Sequence, residues 1–140
     1  MSETVEAFFY GLYMDSELLK SLGFMPGSVQ KAKVDSYVIN LFGSVKIVPK
    51  VNCVVWGNLI ELPKQDLEAM YSFESTKAYS PEIVQVIESN GNTKNVSCYN
   101  VVETSGELFN SEYHEKLVQT LIRLGFPTEY ISSVKALGSC

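Results

Sequence analysis

The sequence predicts one α+β domain built around an antiparallel or mixed sheet. Its 140 residues suit a single domain, because most domains contain about 100–150 residues. Six strand-like and four helix-like segments follow one another without strict β-α-β alternation, which favours α+β over a parallel α/β sheet. Hydrophobic residues make up 46% of the chain and charged residues 19%, which argues against intrinsic disorder. No repeat or linker interrupts the pattern, and residues 1–140 are predicted to form one domain.

The chain is predicted to open with a strand, a helix and two further strands. Val5–Tyr10 is a continuous apolar run, which is typical of a buried strand. Asp15 suits the N-cap of a helix over Ser16–Leu22. Val29–Phe42 mixes β-branched and aromatic residues with polar ones, which predicts a strand with one face in water. Val45–Val51 is a shorter strand that contains a proline, so we expect it near an edge or a bulge.

A central strand and a short helix are predicted next. Cys53–Leu62 is almost entirely apolar and reads as a strand covered on both faces. Gly57 lies inside this run, which indicates that another group approaches the strand closely there. Pro63 suits the first position of a helix, which we expect over Gln65–Phe73.

The last third of the chain is predicted to contain a β-hairpin followed by two helices. The turn Asn90-Gly91-Asn92 is a strong hairpin signal between the strands Pro81–Glu88 and Thr93–Val102. Ser111 is predicted to cap a helix that runs to Leu124, with leucines spaced four and three residues apart on one face. Pro127 is predicted to start the last helix, which extends to about Leu137.

Composition and charge argue against several classes of protein. No apolar run approaches the roughly 18 residues of a membrane span. The residues at the N-terminus are acidic, whereas a signal peptide begins with basic residues. Three cysteines, an odd number without C-x-x-C spacing, indicate neither a disulfide framework nor a zinc site, and a reducing cytoplasm is the expected compartment.

Nucleic-acid binding is also disfavoured. The net charge is -5, while binding to a phosphate backbone needs a basic face. Lysines are concentrated in the second and third predicted strands, at positions 31, 33, 46 and 50, and a solvated sheet face explains them. The single histidine, His114, is predicted to lie on the surface of a helix, so a catalytic triad has no obvious base.

Three features could carry chemistry. Gly11 ends a buried strand just before a helix, and such a turn can present backbone N–H groups to an anionic or carbonyl oxygen. Glu74 follows a helix among aromatic residues, where partial burial would raise the pKa of a carboxyl group toward neutrality. Eight tyrosines could line a small polar pocket. The competing interpretations are an ordinary turn, a solvated loop glutamate and tyrosines of the core.

In their order along the chain, these features resemble the gamma-glutamylcyclotransferase-like family. The motifs that carry the resemblance are Phe8-Phe9-Tyr10-Gly11-Leu12-Tyr13-Met14, Val54–Leu62, Glu74 followed by Tyr79, Ser111-Glu112-Tyr113-His114, and Leu124-Gly125-Phe126-Pro127-Thr128-Glu129-Tyr130. Each motif is short, but together they span residues 6–137. The resemblance implies a small, mixed, partly closed β-barrel with flanking helices.

The resemblance also implies a transferase or lyase activity. A small gamma-glutamyl amine or peptide would be converted to 5-oxoproline and a free amine, with Glu74 as general acid and base. The family pattern assigns substrate binding to Tyr10, to the backbone N–H groups of Gly11, Leu12 and Tyr13, to Tyr79, and more weakly to Tyr99. It implies that no metal and no organic cofactor is required. The net charge and the lack of a long apolar run predict that neither nucleic acid nor a membrane is a partner.

The chain departs from the family pattern at two places. Leu12 stands where members often have serine, and only the glutamate of their Asp-x-x-Glu-Gly pattern is kept at Glu74. Glu82 is therefore an alternative for the catalytic carboxylate. The alternative function is that of a non-catalytic member, which would bind a metabolite or serve as an interaction domain.

Overall fold

The computed structural model describes residues 3–42, 45–73, 78–101 and 109–136. Five strands span β1 Thr4–Phe9, β2 Val29–Asn40, β3 Lys46–Pro63, β4 Ser80–Glu88 and β5 Thr93–Asn100. Four α-helices span α1 Ser16–Ser21, α2 Lys64–Met70, α3 Ser111–Arg123 and α4 Thr128–Lys135. A short 3-10 helix, Leu12–Met14, lies between β1 and α1. Apart from that turn, and from the joining of two predicted strands in β3, the order of strands and helices is the predicted one.

The strands form a closed barrel in the order β1-β3-β2-β4-β5. Neighbouring strands are antiparallel, except that β1 and β5 are parallel where Ala7 lies opposite Ser97. The sheet is therefore mixed, as predicted, and its described strands close fully rather than partly. Large apolar side chains such as Phe8, Leu59 and Ile60 are almost completely buried. Because Leu59 and Ile60 are consecutive in β3, their side chains point to opposite faces, so both faces of this strand are covered.

The third and fourth predicted strands are one strand, and this corrects the expectation of a break near residue 52. The pairing of β2 with β3 shifts between Asp35 and Tyr37. Ser36 and Asn52 have positive φ angles of 64° and 67° there. The extra residues of β3 are accommodated in this bulge, which bends the long strand without ending it. Pro49 lies beside the bulge, as its residue type predicted.

Gly57 confirms the predicted close approach to the central strand. A Cβ atom at this position would lie 2.1 Å from the backbone oxygen of Phe9. Strands β1 and β3 therefore meet at a distance that only glycine permits. The contact brings the end of β1, and hence the turn after it, against the middle of β3.

The helix caps are partly as predicted. The side chain of Asp15 accepts a hydrogen bond from the Glu17 N–H at 3.1 Å, as an N-cap should. Helix α3 is capped by Asn110 rather than Ser111, because Asn110 Oδ1 accepts from the Tyr113 N–H at 3.1 Å. Pro63 and Pro127 stand one position before the first helical residue. The predicted end of the last helix at Leu137 lies outside the described residues.

Two surface predictions are corrected. Lys46 is not on a solvated face, since it is 4% exposed and its Nζ donates to the Phe42 oxygen at 2.9 Å. His114 is half-buried; its Nε2 lies 2.7 Å from the Val134 oxygen, and its ring packs on Phe109. The histidine therefore links the two C-terminal helices.

The cysteines differ from each other in their surroundings. Cys98 is a free thiol, buried inside the barrel. Cys53 is disulfide-bonded, which the number and spacing of the cysteines did not predict. Within the described residues, no helix is both long enough and apolar enough to cross a membrane.

Candidate active site

A cavity of about 410 Å³ opens where β1 ends. Its volume lies in the usual range for small-molecule sites, roughly 300–1,000 Å³. The described residues that line it are uncharged: Phe8, Phe9, Tyr10, Gly11, Leu12, Tyr13, Leu18, Val45, Tyr71, Tyr79, Tyr99, Asn110 and Tyr113. Six of them are tyrosines, so the wall combines apolar ring faces with hydroxyl groups.

Contacts with β3 and with α3 hold the turn after β1 in place. Asn58, on the adjacent strand β3, donates from Nδ2 to the Met14 oxygen at 2.8 Å. Asp15 caps α1 and also forms an ion pair with Arg123 of α3. Gly11, in an extended conformation, is the residue that precedes the 3-10 helix. These contacts fix the backbone of the turn against the barrel and against α3.

Tyr113 of α3 reaches the same turn. Its hydroxyl oxygen accepts a hydrogen bond from the Leu12 N–H at 2.8 Å. The Leu12 N–H is therefore already bonded, which corrects the expectation that it points freely at a substrate. Among the described residues, no hydrogen-bond acceptor is found for the backbone N–H groups of Gly11 and Tyr13.

Tyr10 is anchored by a buried amide. Its hydroxyl lies 3.2 Å from Asn100 Oδ1, and the same oxygen accepts from the Ile47 N–H at 3.1 Å. Asn100 Nδ2 donates to the Ile47 oxygen at 2.9 Å and to Glu82 Oε1 at 3.3 Å. One amide thus connects β3, β4 and β5 to the first tyrosine of the cavity. Glu82, the alternative carboxylate, lies behind this amide and is not among the lining residues.

The opposite wall is a cluster of aromatic rings. Tyr71 stacks on Tyr99 with a centroid distance of 3.9 Å and an interplanar angle of 4°. Tyr13 meets Tyr71 edge-on at 5.9 Å, and its hydroxyl donates to the Met70 oxygen at 3.4 Å. The Tyr79 hydroxyl donates to the Val45 oxygen. These contacts restrict the rings, so the wall is rigid before any ligand arrives.

The cavity stabilises neutral phenols. Burial, the largest cause, raises the pKa of Tyr10, Tyr71 and Tyr113 above the ordinary value for tyrosine. The Leu12 N–H opposes this effect at Tyr113, since it favours the phenolate. The hydroxyl groups therefore stay protonated at neutral pH and can donate hydrogen bonds.

The structure brings together most of the site predicted from the sequence. Tyr10, Gly11, Leu12, Tyr13, Tyr79 and Tyr99 all line the cavity. Glu74 lies outside the described residues, so its catalytic role stays a prediction. Glu68, the other glutamate near it, is exposed on α2, and within the described residues no group of His, Cys, Asp or Glu is arranged to hold a metal ion.

Tyr71 and Tyr113 are lining residues that the sequence did not assign to the site. Tyr71 lies in the turn that follows α2, and Tyr113 is separated by 101 positions from its partner Leu12. The signals for them were the high number of tyrosines and, for Tyr113, its place in one of the motifs that carry the family resemblance. Such a count does not distinguish a core residue from a cavity residue.

Known structures and families point to the same fold. A structure named gamma-glutamyl cyclotransferase superposes with a TM-score of 0.80 at 18% identity, covering 96% of this chain and 88% of that one. An uncharacterized protein from Homo sapiens gives 0.79 at 19% identity, with the same coverage. YkqA from Bacillus subtilis gives 0.77 at 18% identity, over 96% of this chain and 54% of its own.

The closed barrel with its flanking helices is thus the gamma-glutamylcyclotransferase-like fold that the resemblance predicted. No curated protein matches the chain in sequence. A model of the AIG2-like family matches residues 54–134, which is more than half of the chain. The chain belongs to the AIG2-like family.

Proposed function

We propose that this protein is a cyclotransferase that converts a small gamma-glutamyl amine or peptide to 5-oxoproline and the free amine. The observation that carries the proposal is the cavity at the Gly11 turn, which unites the six binding residues predicted from the sequence. The likeness in fold to a protein named gamma-glutamyl cyclotransferase supports it.

The reaction suits a cavity whose described lining residues are uncharged and held in place by contacts with one another. The substrate's own α-amine attacks its γ-carbonyl carbon, a five-membered lactam forms, and the bond to the leaving amine breaks. Both reacting groups belong to one molecule, so holding the folded conformer supplies much of the acceleration. The protein must then accept a proton from the α-ammonium, stabilise the oxyanion and give a proton to the leaving amine. One carboxylic acid and a few hydrogen-bond donors are enough for these steps.

We propose Glu74 as the group that moves these protons. Tyr71 lies three residues before it and Tyr79 five residues after it, and both line the cavity. The chain therefore enters and leaves the segment that carries Glu74 at the wall of the site. The N–H groups of Gly11 and Tyr13 are the proposed donors for substrate oxygens, since their turn forms part of the same wall.

The test is to measure 5-oxoproline after incubation with gamma-glutamyl amino acids, gamma-glutamyl amines and glutathione. Glu74→Gln keeps the size of the side chain and removes its titrating group, so we expect turnover to fall by about 10²–10⁴-fold. Glu68→Gln is the matched control, because Glu68 is exposed on α2 and outside the lining. It should keep wild-type turnover.

A third variant, Glu82→Gln, separates the two carboxylates. If Glu82→Gln abolishes turnover while Glu74→Gln does not, the catalytic assignment moves to Glu82. If folded wild-type protein forms no 5-oxoproline from any member of the panel, the cyclotransferase proposal fails. The alternative of a metabolite-binding or interaction domain would then apply. A cytoplasmic location stays a prediction, which imaging of a tagged protein would test.

A further inference from the structure

A second cavity, of about 290 Å³, adjoins the candidate active site. Leu12 and Leu18 line both cavities, so these two side chains form a shared wall. The other residues that line the second cavity are Asp15, Lys116, Gln119, Thr120 and Arg123. We call this second cavity the α3 groove, because four of its lining residues belong to helix α3.

Helix α3 connects the two cavities. Tyr113 lines the first cavity, whereas Lys116 and Arg123 line the α3 groove. The rise of an α-helix places Lys116 about 4.5 Å further along the helix axis than Tyr113, and Arg123 about 15 Å further. A ligand that extends from the first cavity across the two shared leucines therefore meets Lys116 before Arg123.

The α3 groove differs from the first cavity in charge. The described lining of the first cavity is uncharged, whereas the groove contains Lys116, Arg123 and Asp15. Asp15 is paired with Arg123, which leaves Lys116 as the unbalanced charge of the groove lining. The partner of Lys116 is Glu112, at 3.2 Å, and both side chains are exposed. An exposed pair of this kind is weak, so Lys116 can turn from Glu112 to a ligand at little cost.

We propose that Lys116 binds a carboxylate on the leaving part of the substrate, so that the protein prefers gamma-glutamyl amino acids and peptides to gamma-glutamyl amines. The inference rests on the proposed cyclotransferase reaction and narrows its substrate class. In a leaving amino acid, a single carbon atom separates the nitrogen from the carboxylate, which fits the nearer cation, Lys116. A leaving peptide extends by roughly 3.3–3.6 Å per residue toward Arg123. Its amide groups would then lie beside Gln119 and Thr120, which both donate and accept hydrogen bonds.

The test is a cycle of two proteins and two substrates. The proteins are wild type and Lys116→Met, which keeps an unbranched side chain and removes its charge. The substrates are gamma-glutamyl-alanine and gamma-glutamyl-alaninamide, which differ only in the carboxylate of the leaving part. We expect kcat/KM of wild type to favour gamma-glutamyl-alanine by about 3–5-fold, and Lys116→Met to lose this preference. The wild-type preference should shrink as the salt concentration rises, because the contact is exposed.

Lys20→Met is the matched control. Lys20 is also exposed and paired with a glutamate on its own helix, Glu17, at 3.6 Å, but it lies outside both cavities. The control should keep the wild-type preference. If Lys116→Met keeps it too, or if both substrates lose kcat/KM equally in that variant, Lys116 does not recognise the leaving carboxylate. The inference is then overturned while the cyclotransferase proposal stands.

A binding measurement covers the case in which wild type forms no 5-oxoproline. Calorimetric titration with the same two compounds needs no turnover. A preference for gamma-glutamyl-alanine that disappears in Lys116→Met would support the role of Lys116, although the cyclotransferase proposal would have failed. Equal affinity of wild type for the two compounds, or no binding of either, would overturn the inference as well.

Discussion

At the scale of single residues, Gly11 and Tyr113 form a coupled pair. The φ angle of Gly11 is -105°, which any residue can adopt, so the Tyr113 hydroxyl is the obstacle to a side chain there. We expect Gly11→Ala to displace the phenol and to lower the free energy of unfolding by about 1–3 kcal/mol. In the Tyr113→Phe background the same change should cost much less, because the remaining ring carbon is at ordinary contact distance.

Urea unfolding of the four proteins measures this coupling as a double-mutant cycle. A cost of Gly11→Ala that is equal in both backgrounds would show that the phenol oxygen is not what excludes a side chain. The wild-type hydrogen bond from Leu12 to Tyr113 would then have to be reconsidered.

The same residues show how far a sequence can define a site. Gly11 and the tyrosines near it could be identified, because a glycine at the end of a buried strand is visible locally. Tyr113 was part of a motif of the family resemblance but was not assigned to the site, since its partner is 101 positions away and the periodicity of its segment predicts only an amphipathic helix. Local patterns contain no information on which side chain of a helix faces a distant turn.

At the scale of the elements, the contact between β1 and β3 depends on Gly57. A Cβ atom at residue 57 would meet a backbone oxygen, that of Phe9, at 2.1 Å, and a backbone atom cannot turn away as the end of a side chain can. We expect Gly57→Ala to lower the free energy of unfolding by about 3 kcal/mol or more. Thermal or urea denaturation would measure it.

Gly27→Ala is the matched control for this prediction. Its nearest neighbour would be the carboxylate oxygen of Glu61 at 3.1 Å, at the end of a flexible side chain. The control should stay within about 1 kcal/mol of wild type, as most surface substitutions do. If Gly57→Ala lowered the free energy of unfolding by no more than about 1 kcal/mol, like the control, β1 and β3 would be able to move apart at little cost.

The elements themselves were predicted best where a single residue type determines the conformation. The hairpin turn at Gly91, which has a φ of 91°, and the cap at Asp15 are of this kind. The continuity of β3 was missed because Asn52 and Ser36 adopt positive φ angles in paired strands. Polar residues beside a proline indicate a turn, and only the pairing with β2 shows that they form a bulge.

At the scale of the whole molecule, the closed barrel depends on contacts that no local pattern reveals. The parallel pairing of β1 with β5 joins Ala7 to Ser97, and such distant pairing is not contained in the alternation of either strand. Composition and periodicity therefore predicted a mixed sheet, and the family resemblance supplied the barrel. The cavity lies where this closure brings the end of β1 beside Tyr99 of β5.

We expect the protein to lose stability at alkaline pH, because several groups buried in the barrel have a raised pKa. Burial raises the pKa of the Cys98 thiol from 9.0 to about 12, and it raises the pKa of Tyr10 and Tyr71 well above 10.0. Above pH 9 the unfolded chain loses the thiol proton while the folded protein retains it. The folded state then binds more protons than the unfolded state, so the free energy of unfolding must fall as pH rises.

Cys98 alone should contribute a loss of at most about 1.4 kcal/mol per pH unit between pH 9 and pH 12, and the tyrosines should add to the loss from about pH 9 upward. Urea denaturation at unit intervals from pH 7 to pH 11 measures the slope. Cys98→Ala serves as the control: it lowers stability at every pH by creating a cavity, and between pH 9 and pH 10 its free energy of unfolding should fall by about 1 kcal/mol less than that of wild type, because only the tyrosines still contribute. A slope equal to that of wild type would mean that the thiol titrates alike in both states, and that the interior of the barrel admits water at Cys98.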